Sequence, residues 1–198
     1  MPVGGVDVSE MSVEGRPLKE KELIVDAKNG DVSAYGQLVG LHQAVALRVA
    51  YLVVRDHAEA EDVTQEALVK AYRALGRFRE EAPFRPWLLR IVRNEALNRR
   101  RSTGRRELLA LRVATDPVSG GAAPSPETEV MSGEERQWVL AAVDSLPERY
   151  RSVISARFLV GLSEAETAGM LGIAPGTVKS RTSRGLTRLR EMLGERDD

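Results

Sequence analysis

The 198-residue chain has no cysteine, only two histidines, and an aromatic content of 5%. Without cysteine it can have no disulfide framework, no thiolate metal site and no thiol nucleophile, which fits a reducing cytoplasm. The N-terminus lacks the apolar region of a signal peptide. No run approaches the roughly eighteen apolar residues typical of a membrane span. We therefore predict a cytoplasmic protein that does not insert into a membrane.

Motifs for catalysis are also missing. His42 lies inside a helical pattern and His57 at a helix start, and neither has a partner at metal-ligand spacing. The chain has no phosphate-binding glycine loop, no GxSxG and no HExxH motif. We predict that it is not an enzyme, has no catalytic residue, and needs neither a metal nor a cofactor.

Charge is balanced over the whole chain, with 29 basic and 29 acidic residues, but it is unevenly distributed. Residues 21–107 carry sixteen basic and twelve acidic side chains, and residues 136–198 carry ten and eight. Between them, residues 108–135 carry one basic and five acidic side chains. Two mildly basic segments therefore flank an acidic one.

The periodicity predicts an all-α protein of two small helical domains joined by an extended linker. We expect a flexible leader over residues 1–19, a first domain over 20–111, and an acidic linker rich in proline and glycine over 112–131. A second domain is expected over 132–193, followed by a tail over 194–198. Strand patterns bounded by hairpin turns do not stand out.

Helix boundaries can be predicted from capping residues. Asp31 should open a long apolar helix through Val54, and Asp56 with Glu59 a second helix to about Leu75. A third helix is expected from about Phe84 to Arg101. Ser132 with Glu135 should open the first helix of the second domain.

The second domain contains the signature of a helix-turn-helix. Pro147 suits the start of one helix, and Ser163 with Glu166 forms a capping box for the next. Gly172 is a natural helix end, and Pro175 then opens another helix after a short turn. Two helices joined by so tight a turn present the second helix to a DNA groove.

A helical wheel divides this last helix into two faces. The predicted buried face comprises Val178, Thr182, Gly185, Leu186 and Leu189. The opposite face comprises Ser180, Ser183, Arg184 and Thr187, flanked by Lys179, Arg181 and Arg188. From Pro175 to Arg190 there are five basic residues and no acidic one. A solvated amphipathic helix is the plainer alternative, but the coincidence of turn, caps and charge favours DNA contact.

Two surfaces of the first domain are also candidates for binding. On the helix after Asp56, one side carries Glu59, Asp62, Gln65, Glu66 and Arg73. Its acidic character favours a protein partner over DNA, although a solvated face would have the same pattern. Residues 85–106 hold eight arginines and one acidic residue, with Arg90, Arg93, Arg100 and Arg101 on the outer side.

The arginine-rich segment follows a loop that carries aromatic residues. Phe78, Arg79, Pro83 and Phe84 lie in or beside this loop. Arginines that bind phosphates, next to an aromatic that can stack on a base, suit single-stranded or melted DNA. Core packing is the alternative for the aromatics; we expect it for Trp87, whereas for Phe78 the two alternatives are balanced.

Taken in order, these segments resemble the extracytoplasmic-function (ECF) sigma factors of bacterial RNA polymerase. The resemblance rests on AEAEDVTQEALVKAYRALGRF, FRPWLLRIVRNEALNRRR, the linker, and LPERYRSVISARFLVGLSEAETAGMLGIAPGTVKSR. It covers roughly residues 20–110 and 135–193. It implies that the first domain is sigma region 2 and the second is sigma region 4.

The resemblance also implies roles for particular residues. Asp62, Gln65 and Glu66 would contact core polymerase at the clamp helices of the β′ subunit. The minus-ten element, including a base flipped from the non-template strand, would be contacted by Phe78, Arg79, Arg90, Arg93, Asn94 and Arg100. The minus-thirty-five element would be contacted by Lys179, Ser180, Arg181, Ser183, Arg184 and Arg188. The acidic linker would run toward the polymerase active site and RNA exit path.

The implied partners are core RNA polymerase, through its β and β′ subunits, and promoter DNA as duplex and as melted strand. An anti-sigma factor is a further candidate partner. The chain departs from housekeeping sigma factors in having Trp87-Leu88 where those have two adjacent tryptophans. It also has Gly185 inside the recognition helix, where glycine costs about 1 kcal/mol relative to alanine.

Two other functions fit parts of the sequence. A stand-alone transcription regulator would bind duplex operators through the same helix-turn-helix, but would not need an arginine-rich helix beside an aromatic loop. A helical adaptor without a DNA role would not need a basic helix free of carboxylates.

Overall fold

The computed structural model describes residues 16–111 and 133–194, with side chains described for residues 19–104 and 137–194. The predicted linker and the cap at Ser132 lie outside these ranges, as do nearly all of the predicted leader and tail. The helix that begins at Arg16 includes the last four residues of the predicted leader.

The N-terminal unit is built from four helices. They are α1 (Arg16–Lys28), α2 (Val32–Val54), α3 (His57–Ala74) and α4 (Phe84–Leu111). Both predicted N-caps are present. The Asp31 carboxylate accepts hydrogen bonds from the backbone N–H groups of Ser33 and Ala34, and the Asp56 carboxylate accepts one from that of Glu59. Helix α4 extends ten residues beyond the predicted end at Arg101.

Helix α2 lies at the centre of this unit, in contact with α1, α3 and α4. Leu38, Ala46 and Ala50 on α2 are fully buried, as are Val63 on α3 and Val92 on α4. By length and composition α2 could also cross a membrane, with a mean hydropathy of 1.4 over its most apolar window. Polar residues interrupt the apolar run of this helix, so its sequence contains no continuous apolar segment of that length. The packed face of α2 accounts for its apolar character as a core helix.

The C-terminal unit contains α5 (Gly133–Ser145), α6 (Glu148–Ile154), α7 (Glu164–Leu171) and α8 (Pro175–Gly194). Helix α6 follows Pro147 at its N-cap and continues as a π-helical turn over Ser155–Leu159. One small core joins Tyr150 and Ile154 of this segment to Leu189 of α8. The described residues contain no strand, and the prediction of two all-α domains is confirmed.

The two units pack against each other. Helix α7 lies against α4, and side chains from the π-helical turn and α7 join the core of the N-terminal unit. The described C-terminal unit therefore sits on the same side of α4 as part of its arginine row, which positions the surfaces discussed next.

Candidate nucleic-acid interface

The helix-turn-helix forms at α7 and α8 as its capping residues predict. The Ser163 hydroxyl accepts from the Glu166 backbone N–H at 3.2 Å, and the Ser163 N–H donates to the Glu166 carboxylate at 2.8 Å, completing the capping box. Gly172 ends α7 in the left-handed conformation at φ 67°, which glycine adopts without strain. Pro175 is the first residue of α8.

Helix α8 presents the face that its wheel predicts. Val178, Gly185 and Leu189 are buried, whereas Thr182 and Leu186 are partly buried. The exposed residues among the predicted DNA contacts are Lys179, Ser180, Ser183, Arg184 and Arg188, and Arg181 is partly exposed. The structure thus brings the predicted minus-thirty-five residues together on one side of one helix; their role in DNA binding stays a prediction.

Arg188 is also engaged with an aromatic ring inside the unit. Its guanidinium carbon lies 5.1 Å from the centroid of the Tyr150 ring, and that of Arg149 lies 4.9 Å from the same centroid. A hydrogen bond from Arg149 is the main cause of a lowered Tyr150 pKa, and the positive charges of Arg149, Arg188 and Arg184 lower it further. This contact connects the C-terminal half of α8 to α6.

Gly185 allows α8 to approach α6 closely. A Cβ atom at this position would lie 2.9 Å from Cγ1 of Ile154 and 3.2 Å from its Cδ1, closer than carbon atoms pack. The low helix propensity of glycine is therefore offset by tight packing of the recognition helix on its support.

We expect Gly185→Ala to destabilise the C-terminal unit by about 1–3 kcal/mol, because overpacking against Ile154 outweighs the gain in helix propensity. Gly176→Ala is the matched control on the same helix, since a Cβ there meets nothing within 4 Å. Urea unfolding followed by circular dichroism measures both. Equal stability of the two variants would show that α8 shifts to accept the methyl group.

The predicted minus-ten residues of α4 differ in their exposure to solvent, and some lie close to the C-terminal unit. Arg90, Asn94 and Arg100 are exposed, whereas Arg93 is partly buried. The pKa of the Arg93 guanidinium is lowered, mainly by burial. The negative charge of Glu148 opposes this shift, and the positive charges of Arg100 and Arg101 add to it. One guanidinium nitrogen of Arg100 lies 3.9 Å from the Glu148 carboxylate. This row of arginines therefore borders the domain contact.

Phe78 does not offer a free ring to solvent in this structure, and its contact with the minus-ten element stays a prediction. Its side chain is only 4% exposed. Its ring packs edge-on against Phe84 at 5.6 Å and lies 4.8 Å from Trp87 between centroids. Core packing, one of the two alternatives, describes this residue.

The loop after Phe78 is nevertheless exposed and anchored. Arg79 and the rest of the loop to Pro83 are exposed, and the Ala82 N–H donates to the Arg79 carbonyl at 2.9 Å. The Lys28 ammonium donates to the Phe78 carbonyl at 3.2 Å and to the Glu80 carboxylate at 2.5 Å. Lys28, which no sequence motif indicated, thus fixes the start of the loop from α1.

Asp62, Gln65 and Glu66 form an exposed surface on α3, which we call the acidic strip. Glu66 accepts a hydrogen bond from Arg99 of α4 at 2.7 Å, so part of its charge is compensated within the unit. Val69 and Tyr72 continue the strip toward the end of α3 and are 50% and 37% exposed. No sequence pattern predicted that these two residues would be exposed.

The two histidines have structural contacts. His42 is buried, with its Nε2 atom 3.0 Å from a Glu20 carboxylate oxygen, and the exposed His57 lies 3.3 Å from Glu61. Over the residues described, no three histidine, cysteine, aspartate or glutamate side chains come close enough together to hold a metal ion.

Comparison with known proteins identifies the family. The family model of Sigma-70 region 2 matches residues 38–106, and that of Sigma-70, region 4 matches residues 136–189. The ECF RNA polymerase sigma-E factor of Escherichia coli strain K12 is 39% identical over 176 residues, 84% of this chain and 90% of that protein. This chain belongs to the ECF sigma factors.

The sigma factor also resembles a longer relative and two solved structures. The probable RNA polymerase sigma factor RfaY of Xanthomonas campestris pv. campestris is 32% identical over 178 residues, 87% of this chain but 43% of that protein. CnrH in complex with the cytosolic domain of CnrY matches with a TM-score of 0.65 and 26% identity, over 89% of this chain and 98% of CnrH. RpoE in complex with the anti-sigma factor NepR, from Bartonella quintana, matches with a TM-score of 0.62 and 28% identity, over 82% of this chain and 98% of RpoE.

Proposed function

We propose that this ECF sigma factor binds its partners through three separate surfaces. The acidic strip binds core RNA polymerase. The arginine row of α4, with Asn94 and the exposed loop over 79–83, binds the minus-ten element. The outer face of α8 binds the minus-thirty-five element. The domain boundaries 20–111 and 132–193 belong to this proposal.

The observation that carries the proposal is the outer face of α8. It combines Lys179, Arg184 and Arg188 with the exposed serines 180 and 183, and no carboxylate interrupts it from Pro175 to Arg190. Cationic and hydroxyl side chains on the second helix of a helix-turn-helix suit phosphates and base edges in the major groove. The acidic strip has the opposite sign, which supports a protein contact there.

The sigma factor acts by binding in the cytoplasm, where polymerase and promoters are found, and we propose no chemistry of its own. An anti-sigma factor is a proposed regulator, supported by the solved structure of the sigma factor RpoE in complex with the anti-sigma factor NepR.

In vitro transcription tests the proposal against the stand-alone regulator. The protein should direct transcription from a genomic promoter library only when core polymerase is present, and it should shift duplex promoter DNA weakly by itself. Tight, sequence-specific binding to duplex DNA without polymerase, together with no stimulated transcription, would instead identify a stand-alone regulator.

Arg184→Ala should weaken binding of the holoenzyme to promoter DNA by about 1–3 kcal/mol and relax the preference at one upstream position, if the arginine reads a base edge. Arg190→Ala is the matched control, since this exposed arginine lies farther from the N-terminal end of α8, which contacts bases in helix-turn-helix proteins. Binding to a library randomised in the minus-thirty-five element measures both. A uniform loss over all sequences for Arg184→Ala would assign it to phosphate contact only.

A further inference from the structure

Helix α1 is firmly attached to the rest of the N-terminal unit. Its side chains Leu23, Ile24 and Ala27 are buried in the core of that unit. Near the start of the helix, a Glu20 carboxylate oxygen lies 3.0 Å from the Nε2 atom of the buried His42 on α2. Because α1 is held along its buried face, a side chain at its end can hold a neighbouring segment in a defined position.

The exposed loop over residues 79–83, which we call the minus-ten loop, lies between two buried aromatic rings. Phe78 precedes it and Phe84 follows it, and both rings are in the core. Within the loop, the Ala82 N–H donates to the Arg79 carbonyl at 2.9 Å, which closes a turn. This hydrogen bond joins the loop only to itself. Contacts with another helix are needed to fix how the turn is placed on the unit.

Lys28, the last residue of α1, supplies such contacts. Its ammonium donates to the Phe78 carbonyl at 3.2 Å and to the Glu80 carboxylate at 2.5 Å. These partners are 50 and 52 positions away in the chain, so the two bonds join the first described helix to the minus-ten loop. One bond fixes the backbone where the loop begins, and the other fixes a side chain inside the loop.

The two hydrogen bonds differ in their exposure to water. The side chain of Lys28 is 22% exposed and that of Glu80 is 49% exposed, so solvent screens the ion pair, and such a pair alone stabilises little. The bond to the Phe78 carbonyl is charge-assisted and partly buried, so water competes with it less. Lys28 therefore acts mainly on the backbone of the loop.

The pair with Glu80 also changes the charge of the minus-ten loop. The loop carries two exposed carboxylates, Glu80 and Glu81, beside the exposed Arg79. Free carboxylates repel the phosphates of DNA. Lys28 neutralises one of the two, so the same contact that positions the loop also reduces this repulsion.

We propose that Lys28 is a positioning residue for minus-ten recognition: its ammonium holds the minus-ten loop in the conformation that receives melted DNA. The inference rests on the proposed binding of the minus-ten element by this loop. A loop that is already held in its binding conformation loses less conformational entropy when DNA binds, which raises the affinity. It also presents the same groups to every base, which preserves discrimination between bases.

Three variants and one control separate positioning from charge. Lys28→Met keeps the apolar stem and removes both hydrogen bonds, whereas Lys28→Arg again provides donors for the carbonyl and the carboxylate. Lys28→Met combined with Glu80→Gln removes the same bonds but leaves the net charge of the starting protein unchanged. Lys21→Met is the matched control, because it removes one positive charge at an exposed position of the same helix. Urea unfolding of each full chain, followed by circular dichroism, checks that the fold is retained.

Each variant is assembled with core polymerase, and fluorescence anisotropy measures binding to single-stranded minus-ten oligonucleotides. Their sequence comes from a promoter that the in vitro transcription identifies, with each of the four bases at each position. Lys28→Met should bind the preferred oligonucleotide about tenfold more weakly, the effect of losing one charge-assisted hydrogen bond, and should discriminate less between bases. The double variant should show a similar loss, Lys28→Arg should recover most of the affinity, and Lys21→Met should bind as the starting protein does.

Two results would overturn the inference. If Lys28→Met bound as Lys21→Met does, the loop would not need this lysine. If the double variant bound as the starting protein does, Lys28 would act only by neutralising Glu80. Should Lys28→Met fail to fold, the double variant carries the same test, because it removes the same bonds and leaves no carboxylate unpaired.

The starting protein itself tests the proposed function in the same assay. Its holoenzyme should bind these oligonucleotides with a clear base preference. Binding without any preference would contradict the proposed minus-ten role, and the inference with it. Failure of the inference alone would leave the preference of the starting protein intact.

Discussion

Reversing the charge of the acidic strip, in the double variant Asp62→Arg and Glu66→Arg, should abolish co-purification of the protein with core RNA polymerase. Like charges brought together in an interface cost several kcal/mol, which corresponds to a loss of at least about a hundredfold in affinity. The helices should be retained, because both side chains are exposed. The lost pair with Arg99 is a surface ion pair, worth about 0–1 kcal/mol.

The matched control is Glu22→Arg with Glu61→Arg, which changes the net charge equally at two exposed positions. Glu61 lies on the same helix as the acidic strip but outside it. The control should bind polymerase as the starting protein does. If both double variants lost polymerase, overall charge would be responsible, and if neither did, the strip would not be the binding surface.

Phe78→Ala should destabilise the N-terminal unit by about 3–5 kcal/mol, because it removes a buried ring from the cluster with Phe84 and Trp87. Phe78→Leu keeps most of the apolar volume and should cost less than about 1.5 kcal/mol. Urea unfolding of the full chain followed by circular dichroism gives both values.

Base capture by Phe78 would lead to a different result. If Phe78 leaves the core to stack on a flipped base, the Phe78→Ala variant should form open complexes poorly, with little change in its stability. Permanganate reactivity of promoter thymines, measured at a temperature where the variant is folded, distinguishes the two. Unchanged stability with reduced thymine reactivity would contradict the core assignment.

Local features of the fold could be predicted from sequence because their causes are local. Asp31, Asp56 and the Ser163–Glu166 box satisfy N–H groups within a few residues of themselves, and Gly172 needs only its own backbone conformation. The exposed face of α8 follows from the helical period in the same way.

Features that depend on distant residues could not be predicted. Arg85 of α4 and Glu166 of α7, which form an ion pair, are 81 positions apart, and nothing in either segment indicates the other. Gly185 seemed unfavourable in a helix until the neighbouring Ile154 explained it. Phe78 lies at a loop, where no periodicity distinguishes a buried ring from an exposed one. The sequence therefore could not decide between core packing and stacking on a base for this residue.

The π-helical turn at Ser155–Leu159 has a consequence for how this protein can diverge. Before it, Tyr150 and Ile154 pack toward α8; after it, Val160 and Leu162 pack toward the N-terminal unit. A π turn holds one more residue than the α-helical turn it replaces, and one residue corresponds to about 100° of rotation. A descendant that lost a single residue here could keep every capping motif. Its two units would nonetheless no longer face each other, so chain length in this turn, more than the identity of any side chain, determines whether they meet.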